Sequence, residues 1–232
     1  MSSVPGRRTS GVDHHMKSQD ILLLLKLASI DRQRQYSQEG AFRAPLPHSW
    51  QDWEEPEAAL LDELFGTQSA EQATLASKLS MRGLSNETGI SKSEISQSLK
   101  RSYYSGLAKP DRMNGLPKAN VSALLEFVIH GIRYVFPVRP AELTRGIATS
   151  LAAPVLHGRL MTAGELAAVW PDARGNSTGQ AVSPLFKTVP FAVRRDPQLY
   201  EYLALVDAIR IGQPRERKLA SKLLEASLQG RG

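Results

Sequence analysis

Apolar residues recur at helical spacing in several stretches of the chain, and these stretches outline its expected architecture. The first covers residues 19–30, where Ile21, Leu22, Leu24, Leu25 and Ala28 occupy more than one face and Ser18 stands at the N-cap. A helix that apolar belongs in a core or a dimer contact. Residues 31–56 lose the period at Pro45, Pro47 and Pro56 and read as a loop or insertion anchored by Trp50 or Trp53. A short helix is expected over 57–65, stopped by Gly66. Asn120 is the expected cap of a helix reaching Gly131, with His130 at its favourable C-terminal end. Asp196-Pro197 opens a helix to Ile211, and residues 215–228 form a last amphipathic one. Between 137 and 196 the apolar pieces look too short for a sheet. Irregular structure packed over a helix layer is expected there, with Trp170-Pro171-Asp172 as an anchored turn.

Residues 81–118 are the most informative. Leu84 anchors a short helix ending near Thr88, Gly89 supplies a left-handed turn position, and Ile90 pins the turn. Ser91 and Glu94 have the spacing of a capping box for the next helix. On that helix Ile95, Leu99 and Ser102 share one face, while Ser93, Ser96, Gln97, Lys100 and Tyr104 share the opposite one. Beyond it, Asn114-Gly115 has hairpin-turn chemistry, and Pro110 and Pro117 limit the pairing to a short, basic-tipped hairpin.

Composition narrows the function classes. With 41% hydrophobic residues the chain can bury a core, and the absence of Cys removes disulfides, thiolate metal sites and thiol catalysis. The apolar run 21–25 is too short to span a bilayer. Arg7-Arg8 precede it, but Asp20 and Lys26 bracket it and no small-residue cleavage site follows, so a cytoplasmic protein without membrane association is expected. Charge is uneven. Residues 1–77 carry 7 Lys/Arg against 11 Asp/Glu, whereas residues 78–118 carry 8 against 3. Positive charge concentrated on the helix-turn-helix pattern is the footprint of a polyanion partner.

Leu84, Gly89, Ile90, Ile95 and Leu99, the Gly106-Leu107 exit and the basic hairpin together resemble a winged helix-turn-helix of the MarR-type regulators. The resemblance implies a mainly α fold with a small β-hairpin wing, followed by a mostly helical, loop-rich C-terminal half. Together with the reading of the other segments it divides the chain into a disordered extension (1–16), a DNA-binding domain (17–118) with an insertion near 31–70, and a helical region (119–232), itself without a counterpart in the family, for dimerisation or for partner or ligand binding. It further implies a homodimer that inserts helix 91–105 in the major groove and lays the wing along the backbone or minor groove. Ser91, Lys92, Ser93, Ser96, Gln97, Lys100, Arg101 and Tyr104 are then the expected DNA-binding residues of the helix, with Lys109, Arg112 and Lys118 on the wing. Gln97 suits adenine, and Lys100 or Arg101 can reach guanine or a phosphate. The wing cations would neutralise phosphates. Glu94, unless consumed by the cap, would repel them.

The expected function is a sequence-specific double-stranded DNA-binding transcription regulator, a nucleoid-associated repressor. The alternative is an antitoxin-like or adaptor subunit of a two-gene defence module, with a protein partner and secondary DNA binding. No enzyme is expected and no cofactor. Gly175-Asn-Ser177-Thr-Gly179 matches a nucleophile-elbow pattern, but Pro171 and Pro184 flank it and no His follows His157, so a flexible loop is expected. His14, His15, His48, His130 and His157 lack ligand spacing. Arg139, Thr144, Arg145 and Gly146 lie in a Pro-bounded stretch that could meet a phosphate, although packing is the expected role. The apolar stripes of the terminal helices fit a dimer interface or a core equally well.

Overall fold

A computed structural model describes residues 15–38, 51–53, 75–156, 158–159 and 166–230. Most of the expected N-terminal extension, the helix expected over 57–65, Trp50, His14, His48 and His157 lie outside these residues. The described chain is mainly helical, with one small antiparallel hairpin and a second, three-stranded sheet.

Helix α1 (Ser18–Gln38) runs through the interior, and every residue from 21 to 30 is buried. It touches the hairpin, the helix-turn-helix segment and the C-terminal helices, so apolar residues all round it meet protein on every side. Of the two roles open to it, α1 therefore fills that of a core helix. It also continues eight residues past the expected end at Ile30. The apolar period stops there, but no Gly or Pro interrupts before Gly40 and side chains one turn apart hold the extension. Arg32 donates to Gln35 (3.0 Å) and to the Tyr36 hydroxyl (2.9 Å), and its guanidinium sits 4.2 Å from the Tyr36 ring centroid.

Next come α2 (Leu75–Lys78), α3 (Met81–Thr88), α4 (Lys92–Tyr104), strands β1 (Ala108–Pro110) and β2 (Pro117–Ala119), α5 (Val121–His130) and α6 (Ile132–Val135). Asn120 does not cap α5 with its side chain; its Nδ2 donates instead to the Gly106 carbonyl (3.0 Å), tying the hairpin root to the end of α4. The chain closes with α7 (Val189–Val193), α8 (Pro197–Ile211) and α9 (Pro214–Gln229). Asp196 caps α8 as its spacing predicts, accepting from Leu199 N at 3.0 Å, with Pro197 in the first turn. Every residue of α8 from 198 to 210 is buried, so this helix too is interior.

The stretch 137–196 is corrected most. It holds β3 (Leu143–Thr149), β4 (Ala168–Pro171) and β5 (Ser177–Ala181), each paired with both of the others. β3 is antiparallel to β4 through Ile147↔Trp170 and to β5 through Thr144↔Gly179, while β4 and β5 are parallel. Three short strands close on one another only if their backbones nearly touch. A β-carbon on Gly146 would stand 2.0 Å from the Trp170 carbonyl oxygen, and one on Gly179 would stand 2.0 Å from that of Ala167. The glycines of the nucleophile-elbow pattern thus serve strand closure. Ser177 is in a strand, not in a flexible loop, and donates to Asp52 (2.9 Å). Trp170 is strand rather than turn: its ring stacks edge-on to Tyr200, as does that of Trp53, the anchor of the insertion. The Tyr200 hydroxyl donates to the Ala148 carbonyl at 2.7 Å, and burial beside the Asp52 carboxylate pushes its pKa up.

Buried charge is matched within this interior. Asp20 receives Arg101 in two bonds, Nε at 2.8 Å and Nη2 at 2.6 Å. Lys26 donates to Asp196 (2.8 Å) and Glu87 (3.0 Å), and Ser29 also donates to Asp196 (2.7 Å). Asp207 takes Trp170 Nε1 (2.6 Å), Thr149 Oγ1 (3.0 Å) and Arg210 Nη1 (2.6 Å). Charges inside α1 therefore mark interior ion pairs that join it to α4 on one side and to the start of α8 on the other.

Removing one member of such a pair strands the other. Arg101→Met is expected to lower stability by about 3–5 kcal/mol in urea unfolding, and the double variant Asp20→Leu/Arg101→Met to recover most of that loss. A double variant no more stable than the single one would contradict the pairing.

Candidate nucleic-acid interface

The surface around α4 starts from its caps. Ser80 opens α3, and its hydroxyl accepts from Gly83 N at 3.0 Å. Gly89 ends α3 with φ +69°, the conformation expected of it, and Ile90 beneath the turn is buried. Ser91 then caps α4, accepting from Glu94 N at 3.4 Å, and its hydroxyl lies 3.2 Å from that of Ser93. The return half of the expected capping box is not made: the Glu94 carboxylate accepts from Gln19 on α1 instead. That bond turns it toward α1, away from the outer face that would meet a phosphate.

The expected two-faced division of α4 holds. Ile95, Leu99 and Ser102 are buried, whereas Lys92, Ser93, Gln97, Lys100 and Tyr104 are exposed and Ser96 is partly so. Tyr104 is 72% exposed, and its neighbour Tyr103 adds a second ring whose hydroxyl pKa is raised by partial burial. Arg101 is corrected. It lies 100° around the helix from Lys100, faces inward, and has its guanidinium occupied by Asp20, so it offers nothing to a nucleic acid.

In the hairpin, Lys109 stands opposite Lys118 in the β1–β2 register, and the buried Ala108 and Ala119 fix its root. Asn114-Gly115 does not form a two-residue turn. Pro110 faces Pro117 at a pair that needs no hydrogen bonds, and one further backbone bond, from Asp111 N to the Leu116 carbonyl (2.8 Å), closes the pairing around the loop 111–116. The loop is closed by its own bonds: Met113 N donates to Asp111 (2.8 Å), Leu116 N donates to Asn114 Oδ1 (3.0 Å), and Gly115 takes φ +69°. The Met113 amide holds the Asp111 carboxyl below its usual pKa, assisted by Lys118 and Arg34. Lys109 and Arg112 are exposed. Lys118 is half-buried and spans 3.1 Å to Asp31, so part of its charge goes to fixing the hairpin on α1.

The structure thus brings Ser93, Gln97, Lys100 and Tyr104 onto one helix face, with Ser91 and the exposed Lys92 at the N-terminal end of the helix, followed in the chain by a short hairpin bearing Lys109 and Arg112. Two contributors went unseen in the sequence. Asp20 holds the Arg101 side chain inward, and the only signal was a charge placed next to an otherwise apolar run. Phe191 and Thr188 of the C-terminal half pack against the Gly89 turn, for which no local pattern exists. Comparison with protein-family models, curated proteins and solved structures finds no match to this chain.

Gly89 combines a left-handed backbone with a close neighbour: a β-carbon there would lie 3.1 Å from Thr188 Cβ and 3.2 Å from Phe191 Cδ1. Gly106 has φ +73° and nothing within 4 Å. Gly106→Ala is expected to cost the backbone term alone, about 1–2 kcal/mol, and Gly89→Ala more. Equal losses in urea unfolding would mean that α7 does not bear on the turn.

Proposed function

We propose that this protein is a sequence-specific double-stranded DNA-binding transcription regulator, acting as a repressor through a winged helix-turn-helix. The observation that carries the reading is the outer face of α4. Hydroxyls at its N-terminus, an amide at Gln97 and an ammonium group at Lys100 face outward together and Lys92 is exposed in the first turn, while the only acid of that turn is bonded to α1. An exposed helix N-terminus flanked by Ser91 and Ser93 is suited to a backbone phosphate. Further along the face, Gln97 is the residue type that reads adenine in two bonds and Lys100 one that reads guanine. Lys109 and Arg112 on the hairpin supply sequence-blind attraction.

A homodimer on a pseudo-palindrome remains part of the proposal, with half-sites about one helical turn apart. Its contact surface has to lie outside α1 and α8, both of which are interior. The exposed pair Tyr134 (74%) and Val135 (49%) on α6 is one apolar surface among the described residues that favours association, and it suits equally the second reading, an adaptor bound to a different protein. Among the described residues no helix is long and apolar enough to cross a membrane. A cytoplasmic, nucleoid-associated location follows from the DNA reading.

Binding sites selected from a random DNA pool are expected to converge on one consensus. On that site Gln97→Ala/Lys100→Ala is expected to lower affinity at least tenfold, since a good base contact contributes about 1–3 kcal/mol of discrimination. Unchanged affinity and salt dependence would remove α4 as the reading helix.

A further inference from the structure

The turn ahead of α4 is backed by a segment from the far end of the sequence. Gly89 lies against Thr188 and Phe191 of the α7 region. On the Phe191 ring rests the Arg195 guanidinium, its Cζ 3.7 Å from the centroid, and Arg195 Nη1 also donates to the Phe191 carbonyl at 3.3 Å. The stack holds an exposed cation against the very ring that touches the turn. Lys187, adjacent to Thr188, is exposed as well.

The acids of this neighbourhood are already matched. Asp172 holds Arg194 at 2.7 Å, buried Asp196 holds Lys26, and Glu87 on α3 also holds Lys26. Among the described residues neither Lys187 nor Arg195 has a carboxylate partner. Two cations without a carboxylate partner thus flank, in the chain, the residues Thr188 and Phe191 that pack on the turn leading into the N-terminus of α4, and both come from beyond the hairpin in sequence.

We propose that Lys187 and Arg195 form a phosphate clamp on the DNA backbone beside the α3–α4 turn, which makes the C-terminal half part of the DNA-binding surface. This rests on the DNA-binding reading and extends it. The clamp grips the backbone flanking the bases met by α4, so it adds affinity and salt dependence without altering the sequence preferred. Arg195 suits the role because its planar head stays stacked on Phe191 while its edge remains open to an anion.

The test is fluorescence anisotropy of full-length protein on the duplex selected by the wild type, measured across a salt series. Lys187→Ala/Arg195→Ala is expected to bind more weakly, with a slope of log affinity against log salt shallower by roughly 0.9 for each of the two phosphates released. The consensus selected by this variant is expected to match that of the wild type. Arg195→Lys, which keeps the charge, is expected to retain most of the slope. An unchanged slope in the double variant, in protein that unfolds at the wild-type urea midpoint, overturns the clamp while leaving the α4 reading intact. A shifted consensus also overturns it, because the two residues would then read bases. If the wild type binds no duplex, the DNA reading fails and the clamp with it.

Discussion

A carboxylate and a guanidinium shut away from water fasten α4 to α1. Asp20 and Arg101 meet in two short bonds at the boundary between α1 and α4, with almost no exposed surface on either. An isolated charge at that depth would cost several kcal/mol, roughly 3–5 by analogy with broken buried pairs, so the two are locked as a unit. Successive residues of a helix are about 100° apart, so burying the stripe Ile95, Leu99 and Ser102 presents Ser93, Gln97, Lys100 and Tyr104 outward, while Arg101, at the edge between them, reaches inward to Asp20 with its long side chain. The polar outer face of α4 is thus the counterpart of that buried stripe, which the interior ion pair fastens to α1. Gln19, on the same turn of α1, removes Glu94 from that face in the same way.

The same helix couples the rest of the chain to this surface. Lys26 lies a turn and a half beyond Asp20 and binds both Glu87 on α3 and Asp196 at the start of α8. Asp196 in turn caps α8 and accepts from Ser29. Because the closed sheet is bonded to α8 through Thr149, Trp170 and Asp207, its position is linked to α1 as well. The hairpin is tied to α1 by Lys118 and Asp31. Helix-turn-helix, hairpin and C-terminal half are therefore built around one shared axis, and the packing of Phe191 against Gly89 is a consequence.

How much of this the sequence disclosed depended on whether the deciding contacts were local. The Gly89 turn, the Ser91 and Asp196 caps, and the two faces of α4 follow from side-chain chemistry within one or two turns. So does the hairpin, although its pairing ends at Asp111 and Leu116, which makes the loop longer than Asn114-Gly115 suggested. Partners distant in sequence were invisible. Arg101 looked like a surface cation because its neighbour Asp20 is 81 residues away, and Glu94 looked like a capping partner because Gln19 is 75 away. The sheet escaped for another reason. Its strands are short and rich in Gly and Pro, which reads as irregular chain, yet Gly146 and Gly179 are what allow three backbones to close. The course of α1 past Ile30 was hidden because its last two turns are held by polar pairs rather than an apolar stripe.

The central proposal is that DNA is met by the outer face of α4, which the burial of Ile95, Leu99 and Ser102 against the core turns outward. Its most direct test is amide chemical-shift mapping of isotopically labelled protein titrated with the selected duplex. The account predicts perturbations concentrated at Ser91, Lys92, Ser93, Gln97 and Lys100, extending to Lys109 and Arg112, with the interior of α8 unaffected. Saturating binding that leaves those amides unshifted, or that shifts only a different face of the molecule, would contradict it.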